Sequence, residues 1–433
     1  MGLNPTRHVL DNGVTVIVKS NHTTPAVSLL IGVRTGAYAD PADREGTAAL
    51  CARVLDRGTI TRPADVIADD LDGRGASLSV ATGRHQMAIS ATCLSGDFGA
   101  VLALAADIAR HPAFPDTEVN TRRADLITSI RQDEDHPAPM AVAAFARALY
   151  GTHPYARKVR GSVATVESIR RQDLVRFYQK GFQPHAVTVV VVGDFAAEAA
   201  IAAIGKAFGD WAVSARGDKP SGLSGPDAVL VPDAIAPTER RLVSVSMMNK
   251  AQADLAYGFI GIRRAHPDYT AFSVMNNALG QYAIGGRLGD SIRERQGMAY
   301  YVFSSLDASL GAGAFTIRAG VSADNVERAI ASIDAELTAV LQSGFTAQEI
   351  DESKSYLVGS LPRQLETNAA IASFLLNADF FDLGLDYDAR LPALIQSVTL
   401  DAANAAARQL LDPSRATIAV AGPWMKTATD LHR

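Results

Sequence analysis

The run Ala186-Val-Thr-Val-Val-Val-Val-Gly193-Asp-Phe195 is almost continuously apolar and rich in β-branched residues. Such a run predicts a strand that is buried on both faces. A second run, Arg415-Ala-Thr-Ile-Ala-Val-Ala-Gly422-Pro-Trp424, repeats the pattern about 230 residues later. Two shorter segments recur at nearly the same offset, Phe114-Pro-Asp-Thr-Glu118 and Phe345-Thr-Ala-Gln-Glu349. A repeat of this length indicates a duplicated domain rather than a short solenoid unit.

Outward from the repeat, the two halves show the same order of elements. In the first half, strands are predicted around the turn Asp11-Asn12-Gly13 and at Ala26–Val33, Ala76–Thr82 and His85–Cys93. Helical periodicity is found at Glu45–Asp56 and at about 97–110, 116–133, 138–150 and 165–178. In the second half, strands are predicted near 241–248, 254–261, 299–306 and 312–319, and helices near 267–282, 287–295 and after the last of these strands.

Strands grouped ahead of a helical block indicate an α+β fold, in which a mostly antiparallel sheet packs under helices. The sequence therefore predicts two tandem homologous domains of this kind, at residues 1–215 and 238–433. Between them, residues 216–237 are rich in Gly, Pro, Asp and Ser and are predicted to be a linker. A length of 433 residues suits two domains.

Composition excludes several classes of protein. With 48% hydrophobic and 20% charged residues, the chain is predicted to be a water-soluble globular protein. A net charge of -5 provides no field that would attract nucleic acid or an anionic membrane surface. The longest apolar runs have the length of strands and are too short to span a bilayer. The N-terminus lacks a signal-peptide pattern, so we expect a cytoplasmic protein, or a periplasmic one if a leader was removed.

One segment carries a specific resemblance. It reads Glu45-Gly-Thr-Ala-Ala-Leu-Cys-Ala-Arg-Val-Leu-Asp-Arg-Gly58-Thr59. The segment resembles the active site of the pitrilysin-type zinc peptidases, the inverzincins, which include insulin-degrading enzyme and the mitochondrial processing peptidase. These enzymes carry H-x-x-E-H on a helix, followed by Gly-Thr. Since residues four apart share a helix face, the two histidines hold Zn²⁺ while the glutamate activates a bound water.

The residues at the motif positions lack this chemistry. Ala49 stands at the first histidine and Ala52 at the glutamate, and neither side chain can bind a metal or accept a proton. Arg53 brings a permanent cation to the second histidine position. The resemblance places the third ligand, a glutamate, at Ser129, with Thr128 beside it, and neither is a suitable zinc ligand. We therefore expect no metal and no catalytic residue in this chain.

Other sites receive no support from the sequence. Cys51 and Cys93 are too few for a disulfide framework and lack metal spacing, so both are expected to be buried thiols. The histidines are scattered, without a second ligand at a metal spacing. Nucleophile-elbow, P-loop and dinucleotide motifs are absent from the sequence.

The second half retains a segment similar to the family's substrate anchor. It reads Gly285-Gly-Arg-Leu-Gly-Asp-Ser-Ile-Arg293-Glu-Arg-Gln-Gly-Met-Ala-Tyr300. Residue by residue, the resemblance assigns substrate binding to Arg293 and Tyr300. A guanidinium and a phenol can hold a substrate carbonyl and stabilise developing negative charge. The alternative is that Arg293 belongs to a surface ion-pair helix and Tyr300 to a strand core. Arg287 and Tyr301 are not assigned, and strand alternation sends Tyr301 to the opposite face from Tyr300.

The resemblance extends from the first hairpin to Trp424 and implies that two such chains form the halves of a peptidase clamshell around a peptide chamber. It implies that this chain is the non-catalytic, substrate-binding subunit of a heterodimeric zinc metallopeptidase that cleaves oligopeptides. Zinc would then lie in a homologous partner subunit, to which Arg293 and Tyr300 are supplied. One alternative is a structural or scaffold subunit with no role in proteolysis, and a weaker one is a homodimeric peptide-binding module.

Overall fold

The computed structural model describes residues 2–212, 231–281 and 286–424. Its strands, in chain order, are β1 (Thr6–Val9), β2 (Thr15–Ser20), β3 (Ala26–Val33), β4 (Ser77–Thr82), β5 (Met87–Leu94), β6 (Val187–Gly193), β7 (Arg241–Ser246), β8 (Ala253–Ile260), β9 (Ala299–Leu306), β10 (Ala314–Val321) and β11 (Thr417–Gly422).

The α-helices, in chain order, are α1 (Thr47–Val54), α2 (Ala64–Gly73), α3 (Phe98–Arg110), α4 (Asp116–Glu134), α5 (Pro137–Tyr150), α6 (Val163–Ser168), α7 (Arg171–Gly181), α8 (Ala197–Phe208), α9 (Tyr269–Asn276), α10 (Gly286–Leu288), α11 (Val326–Ser343), α12 (Ala347–Gln364), α13 (Asn368–Phe380), α14 (Tyr387–Gln396) and α15 (Leu400–Leu410). Two further segments, Asn277–Gln281 and Gly289–Arg295, are π-helical. None of the helices in the described residues combines the length and the apolar composition that a membrane span requires.

The two sheets have the same topology. The first has the strand order β1-β2-β6-β3-β5-β4, and the second has the order β7-β11-β8-β10-β9. In the first sheet β2 pairs with β6 in parallel, and in the second β7 pairs with β11 in parallel. The other described pairings are antiparallel. Leaving out β1, each strand of one sheet has a counterpart at the same place in the other, which confirms the predicted duplication and the α+β fold class.

The chain forms two compact units. Of the described residues, those within 1–130, 158–230 and 362–389 form the first unit, and those within 131–157, 231–361 and 390–433 form the second. Two segments therefore belong to the unit built mainly by the opposite half of the sequence, namely 131–157 and 362–389. The predicted linker at 216–237 lies mostly outside the described residues.

In the first unit, both faces of the central strands are buried. Val189 and Val191 of β6 pack into the core under the helices, together with Leu29 and Ile31 of β3. The alternate residue Val190 packs on the opposite face, against α13. The contributors to this second layer are Ile17, Leu30, Val190, Val192, Ile371, Ala372, Leu375 and Leu376. Because successive strand residues face opposite sides, burial of both faces requires the continuous apolar run that predicted this strand.

In the second unit, α5 packs on β8 and β11. The Tyr150 hydroxyl donates to the Ala312 carbonyl at 3.0 Å, and Arg241 donates to the carbonyl of Ala148 at 2.9 Å. Just beyond the helix, the buried Tyr155 hydroxyl accepts a hydrogen bond from the Gly311 N–H at 2.8 Å. These polar contacts attach the segment around α5 to the second sheet.

One helix prediction was wrong in detail. The helix expected at about 165–178 is two helices, α6 and α7, separated by Ile169 and Arg170 in extended conformations. The Asp173 carboxylate accepts a hydrogen bond from the Arg170 N–H at 2.8 Å, as in a capping box. Helix α7 can begin here because the Asp173 carboxylate accepts the hydrogen bond of the Arg170 N–H, which has no partner within the helix.

Candidate functional site

Helix α1 carries the segment that resembles the zinc motif and is called the motif helix below. It is fixed at its N-terminus by a buried carboxylate. Asp40 is only 5% exposed, and its two oxygens accept hydrogen bonds from the N–H groups of Gly46 and Ala48, each at 2.8 Å. Gly46 has φ +96°, and a Cβ there would lie 2.7 Å from the Arg160 carbonyl oxygen. Both the left-handed conformation and this close approach require glycine. The start of α1 is therefore set by Gly46 and Asp40 together.

Burial dominates the electrostatics of Asp40. It raises the pKa of the carboxyl to about 7, and the charge of the nearby Glu45 acts in the same direction. The hydrogen bonds from Ala48 and Gly46 lower the pKa, but by less. Desolvation has the larger effect because the hydration free energy that the carboxylate loses on burial exceeds the free energy that the backbone hydrogen bonds provide. Sequence analysis did not single out Asp40, since an aspartate several residues before a helix has no distinctive pattern.

The position of the second histidine and the predicted position of the third ligand lie side by side. Arg53 donates to the Ser129 hydroxyl at 3.4 Å, and Ser129, on α4, donates to the carbonyl of Asp125 at 3.0 Å. Ala49 and Ala52 are buried, with 6% and 4% exposure. The pairing of positions 53 and 129 agrees with the alignment on which the resemblance rests.

This group of side chains does not fit Zn²⁺. It offers two methyl groups, a guanidinium and a hydroxyl already committed to a main-chain carbonyl, whereas zinc needs neutral imidazole, thiolate or carboxylate ligands. The fixed positive charge of Arg53 also repels a dication. In the described part of the chain, no three His, Cys, Asp or Glu residues are grouped so that they could hold a metal ion.

The buried titratable groups near α1 are also unsuited to metal binding. Cys51 is completely buried, and desolvation raises the pKa of its thiol far above the usual range, so the thiol stays protonated. His85 is 5% exposed and lies with its ring centroid 4.9 Å from that of Tyr38. Burial, helped by the charge of Arg84, lowers the pKa of His85 to about 4. Cys93 is likewise buried, as expected for both cysteines.

Arg293 lies in the π-helical segment Gly289–Arg295. Its side chain is 46% exposed, and its Nε lies 3.7 Å from the carboxylate of the adjacent Glu294. π-Helical segments are rare in proteins, and those that occur often lie at functional sites. The ion pair with Glu294 agrees with the alternative that Arg293 belongs to a surface ion-pair helix. Because Glu294 lies in the same exposed segment, the pair still leaves the Arg293 guanidinium accessible to solvent. The substrate-binding role of Arg293 stays a prediction.

Tyr300 lies at an irregularity in the edge strand β9. Tyr301 pairs with Gly320 and Ala299 pairs with Val321, so Tyr300 is an extra residue between two consecutive residues of β10. Bulges of this kind change the direction of a side chain and are common next to active sites. The side chain of Tyr300 is 68% exposed, so it does not belong to the strand core as the alternative proposed. Its role in substrate binding is untested and stays a prediction.

The two residues that were not assigned hold the segment in place. Tyr301 donates a hydrogen bond to the carboxylate of the buried Asp254 on β8. Arg287, at the other end, lies 3.2 Å from Glu349 and 3.7 Å from Glu336. Both residues are therefore structural anchors of the segment that carries Arg293 and Tyr300.

Family models match most of the chain. The model of the insulinase family, peptidase family M16, matches residues 15–162, and the model of the peptidase M16 inactive domain matches residues 168–357. Two homologous α+β domains with these matches define a peptidase-like protein. The chain belongs to peptidase family M16.

Curated relatives are similar over nearly their whole length. The uncharacterized zinc protease YmxG of Bacillus subtilis is 26% identical over 408 residues, which cover 93% of this chain and 95% of the relative. The non-peptidase homolog YmxG of Helicobacter pylori is 22% identical over 392 residues, with 90% and 88% covered.

Solved structures share the fold. A peptidase M16 inactive domain from Pseudomonas fluorescens superimposes with a TM-score of 0.88 at 24% identity, covering 98% of this chain and 99% of that one. A protease from Helicobacter pylori superimposes with a TM-score of 0.85 at 16% identity, covering 96% and 99%. At these identities the likeness concerns the fold.

Proposed function

We propose that this chain is the non-catalytic, substrate-binding subunit of a heterodimeric zinc metallopeptidase that cleaves oligopeptides. The observation that carries the proposal is the contrast between two segments. The motif helix offers Ala49, Ala52 and Arg53 where the peptidases have two ligands and a base. The anchor segment retains Arg293 and presents Tyr300 to solvent. A chain that had lost all connection with proteolysis would have no reason to retain the second set alone.

In this proposal the zinc, and the water that it activates, belong to a homologous partner subunit. The residues of this chain bind the substrate and take no part in activating the water. Arg293 would donate to the carbonyl groups of an extended peptide, and the Tyr300 hydroxyl would donate to an oxygen that gains negative charge during cleavage. The name of the Helicobacter pylori relative, a non-peptidase homolog, agrees with a non-catalytic role, while the Bacillus subtilis relative is named a zinc protease.

The test begins with isolation of the chain from its native cells and identification of what copurifies by mass spectrometry, with a zinc assay on each component. We expect a companion chain of similar length with H-x-x-E-H and stoichiometric zinc. Each chain alone should be nearly inert on oligopeptides, and the mixture should be active. Chelator-sensitive cleavage by the pure isolated chain would overturn the proposal.

Substitutions then test the anchor pair in the reconstituted peptidase. Arg293→Ala or Tyr300→Phe is expected to lower kcat/KM by roughly 10²-fold, the size of effect typical for loss of one donor to a developing charge. Arg295→Ala is the matched control, since Arg295 lies in the same π-helical segment, is 63% exposed and pairs with Asp290 at 3.1 Å. Subunit association, measured by size-exclusion chromatography, should be the same in all variants.

The alternative is a structural or scaffold subunit of peptidase-like fold with no role in proteolysis. It predicts that the chain copurifies with an assembly that lacks a zinc peptidase. It also predicts that Arg293→Ala and Tyr300→Phe leave every activity of that assembly unchanged.

A further inference from the structure

A surface cavity of the first unit has an unusual charge. It has a volume of about 420 Å³ and lies at the first turns of α4 and α7, far in sequence from the motif helix. Its polar lining consists of Asp116, Asn120, Arg123, Arg170, Arg171 and Gln172. Three cations face one carboxylate in a chain whose net charge is negative.

The three guanidinium groups are held by main-chain carbonyls. Arg123 donates to the Ile169 carbonyl at 3.0 Å, and Arg171 donates to those of Phe114 and Ala113 at 2.7 and 3.0 Å. Arg170 donates to the carbonyl of Glu167 at 2.6 Å. Carbonyl acceptors fix the position of a guanidinium but carry no net charge, so they leave its positive charge uncompensated.

The neighbouring arginines behave differently. Arg122 lies 3.4 Å from Glu118 and 2.9 Å from Asp125, and Arg176 pairs with Asp173. Among the described residues, no carboxylate forms an ion pair with Arg123, Arg170 or Arg171. Of these five arginines, the three that line the cavity are therefore those without an ion pair.

Two helix N-termini add to the positive potential. α4 begins at Asp116 and α7 begins at Arg171, and both residues line the cavity. The first turn of a helix exposes N–H groups and carries about half a positive charge. Asp116 offsets part of this potential at α4, and Asp173, which accepts from the Arg170 N–H, offsets part of it at α7. The Asn120 side chain already accepts from Arg123 at 2.7 Å, and the amide groups of Asn120 and Gln172 can donate further hydrogen bonds.

We propose that this cavity binds the phosphoryl groups of a small polyanion of the pyrophosphate class. Each guanidinium fork matches two oxygens of a phosphoryl group. The guanidinium N–H groups that are not engaged by the carbonyls or by Asn120, together with the helix N-termini, offer more donors than the two oxygens of a single carboxylate can use. The volume also exceeds what one phosphate requires, which favours a ligand with at least two linked phosphoryl groups.

The experiment is calorimetric titration of the full chain with inorganic pyrophosphate at low ionic strength, where screening of surface charge is weak. We expect a stoichiometry of one and a dissociation constant below about 1 mM. Arg123→Gln and Arg170→Gln should each weaken binding by about 10-fold, as expected for loss of a charge-assisted donor. No detectable binding to the wild-type chain would overturn the proposal.

The controls remove one positive charge from the same helices outside the cavity. Arg122→Gln is matched to Arg123→Gln on α4, and Arg176→Gln on α7 is matched to Arg170→Gln at the N-cap of the same helix. Both should bind pyrophosphate within about twofold of the wild type. An equal loss in controls and cavity variants would show a diffuse charge effect and refute the site. Thermal unfolding of each variant checks that it is folded.

Two further titrations define the ligand class. Citrate, a polyanion built from carboxylates, should bind much more weakly than pyrophosphate, and equal affinity would refute the phosphoryl assignment. Inorganic triphosphate and ATP distinguish free from nucleotide-borne phosphoryl groups. Equal affinity for these two ligands would show that the cavity recognises the phosphoryl groups alone, and tighter binding of ATP would show that the nucleoside also contributes.

Discussion

Replacement of Asp40 by Asn tests how the motif helix is held. The Asp40 carboxylate is buried, and its pKa is raised from 3.8 to about 7, chiefly by desolvation. The folded chain therefore holds a proton at this site over a pH range in which the unfolded chain has lost it. Asp40 contributes its full stabilising effect at a pH below its pKa in the unfolded chain. This contribution is lost as the pH rises through its pKa in the folded chain. Asn cannot ionise, so Asp40→Asn removes this pH dependence.

The magnitude follows from the size of the shift. Each unit of pKa difference corresponds to about 1.4 kcal/mol, so the whole shift corresponds to roughly 4 kcal/mol. Between about pH 5 and about pH 8, the wild type should lose roughly 2–3 kcal/mol from Asp40 alone. The variant also loses one of the two acceptors for Gly46 and Ala48, at a cost that does not change with pH. Asp40→Asn should therefore gain roughly 2–3 kcal/mol relative to the wild type when the pH rises.

The assay is urea-induced unfolding of both proteins at about pH 5 and about pH 8. His85, with its lowered pKa, makes both proteins less stable as the pH falls below its unfolded value, and this contribution cancels in the difference. Asp43→Asn is the control, since Asp43 is 73% exposed, and it should show no such trend. A stability difference between Asp40→Asn and the wild type that stays the same at both pH values would refute the reasoning.

Two further predictions concern the motif helix and the anchor segment. Ala49→His, Arg53→His and Ser129→Glu together should create a Zn²⁺ site with a dissociation constant below about 1 µM, because positions 53 and 129 are adjacent. In equilibrium dialysis, a control variant with Thr128→Glu in place of Ser129→Glu should bind Zn²⁺ more weakly. Equal zinc affinity of the two variants would contradict the assignment of position 129. Tyr301→Phe should lower the free energy of urea unfolding by about 1–3 kcal/mol, because the buried Asp254 loses a donor. The exposed Tyr300→Phe should change it by less than about 0.5 kcal/mol, and similar losses in both variants would contradict this account.

The resemblance to the zinc motif and the duplication were readable from local sequence. Zinc ligands are a short list of residue types at fixed helical spacing, so the sequence alone predicts that Ala49, Ala52 and Arg53 do not bind zinc. The sequence pattern of the strand Val187–Gly193 recurs in the strand Thr417–Gly422, and this recurrence was also visible in the local sequence. The common strand order of the two sheets confirms the duplication that it predicted. The candidate site was predictable only as a set of residue types and assigned roles.

Other features of the site depend on contacts that no local pattern encodes. Period-two alternation predicts the direction of strand side chains, but the irregularity at Tyr300 depends on pairing with β10, so it could not be foreseen. The same is true of Asp40, which acts through the backbone of a helix that begins several residues later. The cation cavity joins Arg123 to Arg170 and Arg171, and nothing in either segment shows that they meet.

By itself the sequence determined the element types, their duplicated order and the residue types at the positions that the resemblance assigns to metal ligands, because each of these follows from neighbouring residues. Only the tertiary structure decided which sheet each helix covers. Helix α13 follows the second sheet's β10 in the chain but packs on β3 and β6. Helix α5 follows the first five strands, all of the first sheet, but packs on β8 and β11. Burial of apolar surface is non-directional, so a pattern shows that a helix face is buried without showing against which sheet.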